Sequence, residues 1–178
     1  RPCAVELQRR DAHHADDPQA DTWGIRYRKV DYGSGHYDEA IHHPLARAEN
    51  VGDVHAFRWP QPDDFDYAPV TRAIESNNGY RPVTGWAYEP FLLYGQLRGL
   101  EQSFIDLVVN PEIADAILGH IFEFYFERNQ RMFEAGGRRI DVFILAEDLG
   151  SQTGPLISLA HYRRFRASIE GIDPNKLK

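Results

Sequence analysis

The chain has 178 residues, 42% of them hydrophobic, which is enough for one domain with a buried core. Its formal net charge of −7 and its scattered basic residues argue against a nucleic-acid partner, and no apolar run reaches the roughly 20 residues that cross a bilayer. The single cysteine, Cys3, cannot close an internal disulfide and is compatible with a reducing compartment, so we expect a cytoplasmic protein that binds a small-molecule substrate and no membrane.

Residues 1–41 predict a polar arm followed by a β-hairpin. Residues 1–21 are polar and show neither a helical nor a strand period, which indicates a surface arm. Two strand-like runs, 22–30 and 36–41, are joined by the turn residues 31–35, where glycines allow positive φ. Apolar and polar residues alternate in the first run, as in a sheet with one wet face. We therefore predict an antiparallel hairpin that forms a flap.

Helical signals dominate the middle of the chain. A short helical turn is expected at 50–54, a helix over 67–77 with a C-cap at Asn78-Gly79, and two helices, 90–98 and 100–109, broken at Gly99. Asn110 followed by Pro111 is typical of a helix N-terminus, and this helix is expected to continue to about Ala135. Its aromatic and aliphatic stripe indicates core packing rather than a cofactor site.

Two short apolar runs, 82–88 and 142–146, predict strands of a parallel sheet that is buried on both faces. The segments between them are long enough for crossover connections, which parallel pairing requires. Acids follow both runs: Glu89 after the first, and Glu147 and Asp148 after the second. Ligands bind at the carboxyl ends of parallel strands, so these acids mark the candidate site. Ser158 is the predicted N-cap of a last helix.

The candidate catalytic residues are Asp148, Glu89 and Glu147, and the candidate substrate-binding residues are Gln152, Tyr88 and Trp86. Asp148 is the first candidate for the cleft, because side chains alternate along a strand and both adjacent acids cannot face one site unless the backbone turns. In the structural alternative, the acids cap nearby amides or pair with Arg138 or Arg139. No metal ligands are predicted in this chain.

Several segments resemble a known family. The segments DTWGIRYRK, HHPLARAENVGDVHAFRWPQPDD, GWAYEPFLLYGQLRGLEQSFIDLVVNPEIADAIL and DVFILAEDLGSQTGPLIS are similar to the uroporphyrinogen decarboxylase superfamily. More narrowly, they resemble its branch related to corrinoid-dependent methyltransferases and O-demethylases. The resemblance covers about residues 21–165 and implies a TIM barrel with a deep cleft at the carboxyl ends of its strands.

Family members are about twice as long as this chain, so the resemblance implies a half-barrel. The predicted fold class is α/β: a partial (β/α)8 TIM barrel with an N-terminal β-hairpin flap. Its expected parts are the arm, 1–21, the partial barrel, 22–166, and a tail, 167–178, that departs from the family pattern. The His-x-Cys zinc motif of the methyltransferase branch has no counterpart here, so zinc and corrinoid are expectations for a full-length relative.

Three functions follow from the resemblance. The first is methyl transfer from a small methylated substrate to a corrinoid or thiol acceptor, with a corrinoid protein as a partner. The resemblance implies that this chain is an incomplete form of such an enzyme, so the isolated fragment is expected to be inactive. The second is decarboxylation of a uroporphyrinogen-type substrate, a lyase reaction. It is disfavoured because decarboxylases carry a serine near Asp148, and an aspartate there would repel a substrate carboxylate. The third is a non-catalytic half-barrel that self-associates as a homo-oligomer and so covers its open sheet edges.

Overall fold

A computed structural model describes residues 3–5, 7–10, 13–79, 82–86, 89–144 and 146–170. Its strands are β1 (Cys3–Val5), β2 (Gln8–Arg9), β3 (Arg26–Asp31), β4 (His36–His42), β5 (Phe65–Asp66), β6 (Val83–Trp86) and β7 (Val142–Ile144). Its helices are α1 (Val51–Ala56), α2 (Ala68–Asn77), α3 (Pro90–Arg98), α4 (Leu100–Val109), α5 (Pro111–Gly136) and α6 (Leu159–Glu170). A 3-10 turn, Pro62–Asp64, precedes β5.

The central sheet is parallel. In the described part of the chain it has three strands in the order β1-β6-β7, with β6 in the middle. Val5, Gly85 and Phe143 are aligned across the three strands. This face of the sheet packs against α2 and α5 in a buried cluster of Val5, Val70, Ile74, Val83 and Met132. The connection from β6 to β7 consists of helices α3, α4 and α5, whereas the connection from β1 to β6 also contains the hairpin and β5.

Gly85 sets how closely α5 approaches the sheet. A Cβ atom at this position would lie 3.1 Å from Met132 Cε and 3.1 Å from a ring carbon of Phe143. Both distances are tighter than ordinary van der Waals contact, so a side chain here would require the Met132 side chain or the Phe143 ring to shift by a few tenths of an ångström. A glycine in the middle strand thus leaves room for these two side chains.

A second and larger core surrounds α5. The predicted apolar stripe is confirmed as core, since Ile113, Ile117, Ile121 and Phe124 are all buried. Helices α1, α3, α4 and α6 contact α5, and Trp23 packs its ring edge against Phe124 at a centroid distance of 4.9 Å. Most of the apolar burial is therefore between helices, and the small parallel sheet lies at one side of this helical core.

The prediction of a polar arm over residues 1–21 is wrong for its first part. Residues 3–5 form β1, an edge strand of the central sheet, and Val5 is only 2% exposed. Residues 8–9 form β2, which pairs antiparallel with β5. Each of these runs is too short to show a period, and each is stabilised by pairing with residues more than 50 positions away.

The hairpin is confirmed, but its first strand begins at Arg26 rather than at residue 22. The Asp21 carboxylate accepts hydrogen bonds from the N–H groups of Trp23 at 2.8 Å and Ile25 at 2.9 Å, which turns the chain before the strand. Trp23 and Ile25 consequently lie in the helical core and not on a face of the hairpin. In the connecting turn, Gly33 has a φ of +89°.

The expectation that β7 is buried on both faces is wrong. Phe143 packs against α5, where its ring lies 5.2 Å from that of Phe133, but its neighbours Val142 and Ile144 are 46% and 38% exposed. Alternation along the strand directs these two side chains to the opposite face. The helices cover one face of the sheet, and the described strands form no closed barrel. The fold is thus α/β with a small parallel sheet.

The helix ends follow the sequence signals with one exception. Asn78 ends α2 in a left-handed conformation, Gly99 separates α3 from α4, and the Ser158 hydroxyl accepts the His161 N–H at 3.2 Å at the start of α6. Asn110 precedes α5, but its side chain does not cap the helix. It donates to Asp106 Oδ1 at 3.0 Å instead. None of the helices in the described ranges is both long and apolar enough to span a bilayer.

Candidate functional site

The structure brings three acids together at the carboxyl ends of β6 and β7. Glu89 follows β6 and occupies the N-cap position of α3, with Pro90 as the first helical residue. Glu147 Oε1 accepts a hydrogen bond of 2.8 Å from the Phe91 N–H in the first turn of the same helix. Glu89 and Asp148 are both close enough to Glu147 to raise its pKa. A carboxylate that follows β7 therefore caps the helix that follows β6.

Burial raises the pKa of Glu147 from 4.5 to about 7. The N–H groups of Phe91 and Leu92 lower this pKa by stabilising the charged form, but the negative charges of Glu89 and Asp148 raise it further. The second carboxyl oxygen, Oε2, is buried and has no hydrogen-bond partner among the described residues. Desolvation thus outweighs the helix N-terminus, and Glu147 gains and loses a proton near neutral pH.

Asp148 and Glu147 differ in exposure in a way that strand alternation does not predict. Strand β7 ends at Ile144, and residues 146–149 lie outside regular structure, so the rule that adjacent side chains point to opposite faces does not apply to them. Asp148 is exposed, whereas Glu147 is half-buried. The capping alternative is confirmed for Glu147. Of the two arginines in the pairing alternative, Arg139 instead donates to the carbonyl oxygen of Ile74 at 2.9 Å.

Gln152 lies at the tip of a tight loop. The Ser151 N–H donates to Gly154 O at 2.8 Å, and the Leu156 N–H donates to Leu149 O at 2.9 Å, which closes the loop upon itself. Gln152 is exposed, while Ile157 anchors the end of the loop in the helical core. The role of Gln152 in substrate binding stays a prediction. Tyr88 and the side chain of Trp86 lie outside the described residues.

A cavity of about 510 Å³ opens on the sheet, and one of its lining residues is an arginine that the sequence did not mark as a candidate. Arg128 of α5 lines it together with residues of all three parallel strands, among them Thr84 and Ile144. Its guanidinium lies 4.5 Å from the centroid of the Tyr125 ring and donates to Asn129 Oδ1 at 3.0 Å. One signal was available: Arg128 stands four residues after Phe124, where the apolar stripe of the helix would continue.

The described residues do not form a site for a structural or catalytic zinc ion. No cluster of three or more His, Cys, Asp and Glu side chains with metal-binding geometry occurs among them. The three acids at the strand ends supply only carboxylate oxygens, and Glu147 uses one of its oxygens on a backbone amide. Zinc therefore does not fit these residues, and we derive no reaction step through it.

Comparisons of the chain with protein-family models, curated proteins and solved structures find no match. The resemblance to the uroporphyrinogen decarboxylase superfamily therefore rests on the four quoted segments. The acids at the strand ends have a geometry and an electrostatic environment that are independent of that resemblance.

Proposed function

We propose that this chain belongs to a methyl-transferring enzyme of the uroporphyrinogen decarboxylase type, with the α/β sheet as part of a TIM barrel. The observation that carries the proposal is Glu147, a carboxyl group at the carboxyl end of a parallel sheet whose pKa is about 7. A general acid is most effective when its pKa is near the working pH. Removal of a methyl group from an ether or amine needs such an acid, because the departing atom must be protonated.

In the proposed reaction, the bond between the methyl carbon and the donor oxygen or nitrogen breaks, and the bonding electron pair stays on the donor atom. The methyl group passes to a nucleophilic acceptor, which by resemblance is a thiolate, whose proton has already gone to solvent, or a reduced corrinoid that a partner protein brings as a substrate. Protonated Glu147 gives its proton to the donor atom. The carboxylate left behind keeps the Phe91 N–H as its partner and lies at the positive end of α3.

Asp148 and Glu89 have supporting roles in this proposal. Asp148 is exposed beside Glu147, so its carboxylate is available to hydrogen-bond a hydroxyl group of the substrate. The negative charges of Asp148 and Glu89 keep the pKa of Glu147 high, because they disfavour a third charge in the same place. A neutral methyl donor, whose departing atom needs the proton, suits this acidic surrounding better than a polycarboxylate does.

The test is a methyl-transfer assay with three variants. The chain, alone and together with the second half of a full-length relative, is incubated with a methoxylated aromatic donor and either a thiol or reduced cobalamin, and demethylated product is measured by mass spectrometry. Glu147→Gln keeps the size and one acceptor oxygen but loses the acid, and we expect a rate loss of about 10²–10⁴-fold. Asp148→Asn should lose less, because it removes a substrate contact rather than the proton.

Asp141→Asn is the matched control. Asp141 Oδ2 also accepts a backbone N–H, from Val83 at 2.7 Å, but at the opposite end of the same strand pair. Its substitution should leave the rate unchanged. Equal loss in the Glu147 and Asp141 variants would contradict the proposal, and turnover of a porphyrinogen instead of a methyl donor would establish the decarboxylase alternative.

A second candidate, a non-catalytic half-barrel that pairs with a second copy of itself, is favoured by the open face of the sheet. Parallel sheets are normally covered on both faces, yet Val142 and Ile144 are exposed on the face opposite α5. Strands β1 and β7 are also sheet edges in the described fold. An exposed edge beside an apolar face is a template for pairing with another chain.

A further inference from the structure

The cavity of about 510 Å³ lies over the carboxyl ends of the parallel strands. Val5 and Ile144, the last residues of β1 and β7, both line it, and Gly85 lies between them, one residue before the end of β6. This volume is in the range that is typical of pockets for small molecules, and such molecules bind at the carboxyl ends of parallel strands. The cavity is therefore a candidate binding site by both its size and its position.

The walls of the cavity are mainly apolar. Small residues line its middle, since Ala4 and Thr84 are aligned on neighbouring strands and Gly85 has no side chain. Phe65 of β5, which is buried, and Ile144 line it as larger apolar residues. Two strand separations, about 10 Å in all, lie between β1 and β7. The cavity thus has the length of one ring with a short side chain.

Arg128 supplies a positive charge to this cavity, and two neighbours hold its guanidinium in place. The guanidinium lies 4.5 Å from the centroid of the Tyr125 ring, and its Nε and Nη2 both donate to Asn129 Oδ1, at 3.3 Å and 3.0 Å. Asn129 is only 6% exposed, so this partner is itself fixed. Burial raises the pKa of Tyr67, the residue after β5, and the nearby charge of Arg128 opposes this rise. The charge therefore lies on the β5 side of the cavity.

We infer that this cavity binds a small monocarboxylate, whose carboxylate pairs with Arg128 and whose apolar body, about the size of one ring, lies on the sheet. A guanidinium presents its N–H groups as a planar fork that matches the two oxygens of a carboxylate. The apolar body removes Phe65 and Ile144 from water, which supplies further binding free energy. One cation balances one anionic group, and the acids that follow β6 and β7 disfavour a second.

The order of the strands orients such a ligand. Strand β5 lies on the β1 side of the sheet, because its partner β2 follows β1 after two residues. Ile144 ends β7 at the other edge, and Glu147 comes three residues later. A ligand held by its carboxylate on the β5 side therefore presents its uncharged end towards the acids. The inference rests on the proposed function only in taking this ligand to be the substrate, with the methyl-donor group at the uncharged end.

Equilibrium binding of two matched probes to the whole chain tests the inference without turnover. The probes are 3-phenylpropionate and its neutral amide, 3-phenylpropionamide, which differ in charge at one end only. Ligand-observed NMR at pH 7 measures both affinities. The carboxylate should bind at least about 10-fold more tightly than the amide, since only the carboxylate forms a charge-assisted hydrogen bond with the guanidinium. Equal affinities for the two probes would overturn the inference.

Three variants locate the binding site. Arg128→Gln removes the charge, so the affinity for the carboxylate should fall at least about 10-fold while that for the amide changes little. Arg131→Gln is the matched control, because Arg131 lies one turn further along α5 and pairs with Asp63 and Glu127. It should leave both affinities unchanged. Thr84→Leu keeps the charge but fills the cavity, so it should weaken both probes. Circular dichroism verifies that each variant is folded.

Equal losses in the Arg128 and Arg131 variants, or unchanged binding in folded Thr84→Leu, would also overturn the inference. The outcome is separate from that of the methyl-transfer assay. Carboxylate binding that depends on Arg128 supports the inference even if no methyl transfer is detected, which would contradict the proposed function alone. Methyl transfer by a chain that binds the acid and the amide equally well would contradict the inference alone.

Discussion

At the scale of single residues, two carboxylates make the same kind of contact at opposite ends of the parallel sheet. Asp141 accepts the Val83 N–H at 2.7 Å and is exposed, while Glu147 accepts the Phe91 N–H at 2.8 Å and is half-buried, and its Oε2 has no partner among the described residues. The hydrogen bond alone would lower the pKa of Glu147, but desolvation is the larger effect and raises it. Burial, rather than the capping contact, makes Glu147 a candidate acid.

The raised pKa predicts how stability depends on pH. Between about pH 4.5 and pH 7, folded Glu147 binds more protons than it does in the unfolded chain, so its contribution to the free energy of unfolding is complete below this window and is lost as the pH rises through it. Glu147→Gln should therefore be more stable than the wild type at pH 8, by about 1 kcal/mol once solvent screening is allowed for.

Urea denaturation of the wild type and Glu147→Gln at pH 5 and pH 8 measures this effect. The difference between the two proteins should grow with pH, whereas Asp141→Asn should show no such growth. A difference that is the same at both pH values would mean that the Glu147 carboxyl is not desolvated in the folded chain.

At the scale of elements, the corner between α3 and α4 depends on a buried ion pair. Gly99 makes the turn with a φ of +89°, and Arg98 and Asp106 are only 4% and 0% exposed on either side of it. Arg98 Nε donates to Asp106 at 2.6 Å, and its Nη1 donates to the carbonyl oxygen of Leu45. Burial raises the pKa of Asp106, but hydrogen bonds from Arg98 and two amide side chains outweigh burial and lower it.

Removing one member of this pair should be costly. Asp106→Ala leaves the Arg98 charge buried without a counter-ion, and we expect a loss of about 3–5 kcal/mol in the free energy of unfolding. The double variant Arg98→Met/Asp106→Leu should lose less, since no charge remains buried. Glu127→Ala, which breaks an exposed pair with Arg131, should cost less than about 1 kcal/mol and serves as the control.

These losses are measured by chemical denaturation at neutral pH. If Asp106→Ala were as mild as the surface control, the buried pair would not hold the α3–α4 corner. If the double variant were the least stable of the three, the network of hydrogen bonds around Asp106 would matter more than its charge.

At the scale of the whole molecule, the apolar core is unevenly distributed. A dense helical core surrounds α5, whereas in the described part of the chain helices cover a single face of the parallel sheet. The cavity of about 510 Å³ and the exposed side chains of Val142 and Ile144 lie on the sheet. Apolar surface beside strand edges that have no partner strand among the described residues is a template for pairing with another chain.

We predict that the isolated chain self-associates through the sheet. Sedimentation at micromolar concentration should detect a species larger than a monomer, and Ile144→Lys should shift it towards monomer, because a charge on this face cannot be buried in the contact. Val108→Lys is the matched control, since Val108 is 67% exposed on α4, away from the sheet. A stable wild-type monomer, or equal effects of both substitutions, would contradict the prediction.

The sequence by itself determined the helices and most of their ends. The caps at Asn78 and Ser158, the break at Gly99 and the apolar stripe of α5 were all predicted correctly, because capping and periodicity depend on residues within one or two turns of each other. The hairpin turn and the placement of acids after two parallel strands follow from equally local signals.

Only the tertiary structure decided which strands pair, which face of the sheet is covered and which acid is buried. Strand β1 and the pairing of β2 with β5 depend on contacts between distant residues, for which a run of two or three residues carries no period. Glu147 acquires its raised pKa, and Arg128 comes to line the cavity on the sheet, only when separate elements pack together. Desolvation and proximity arise from packing, so neither can be read from the order of residues.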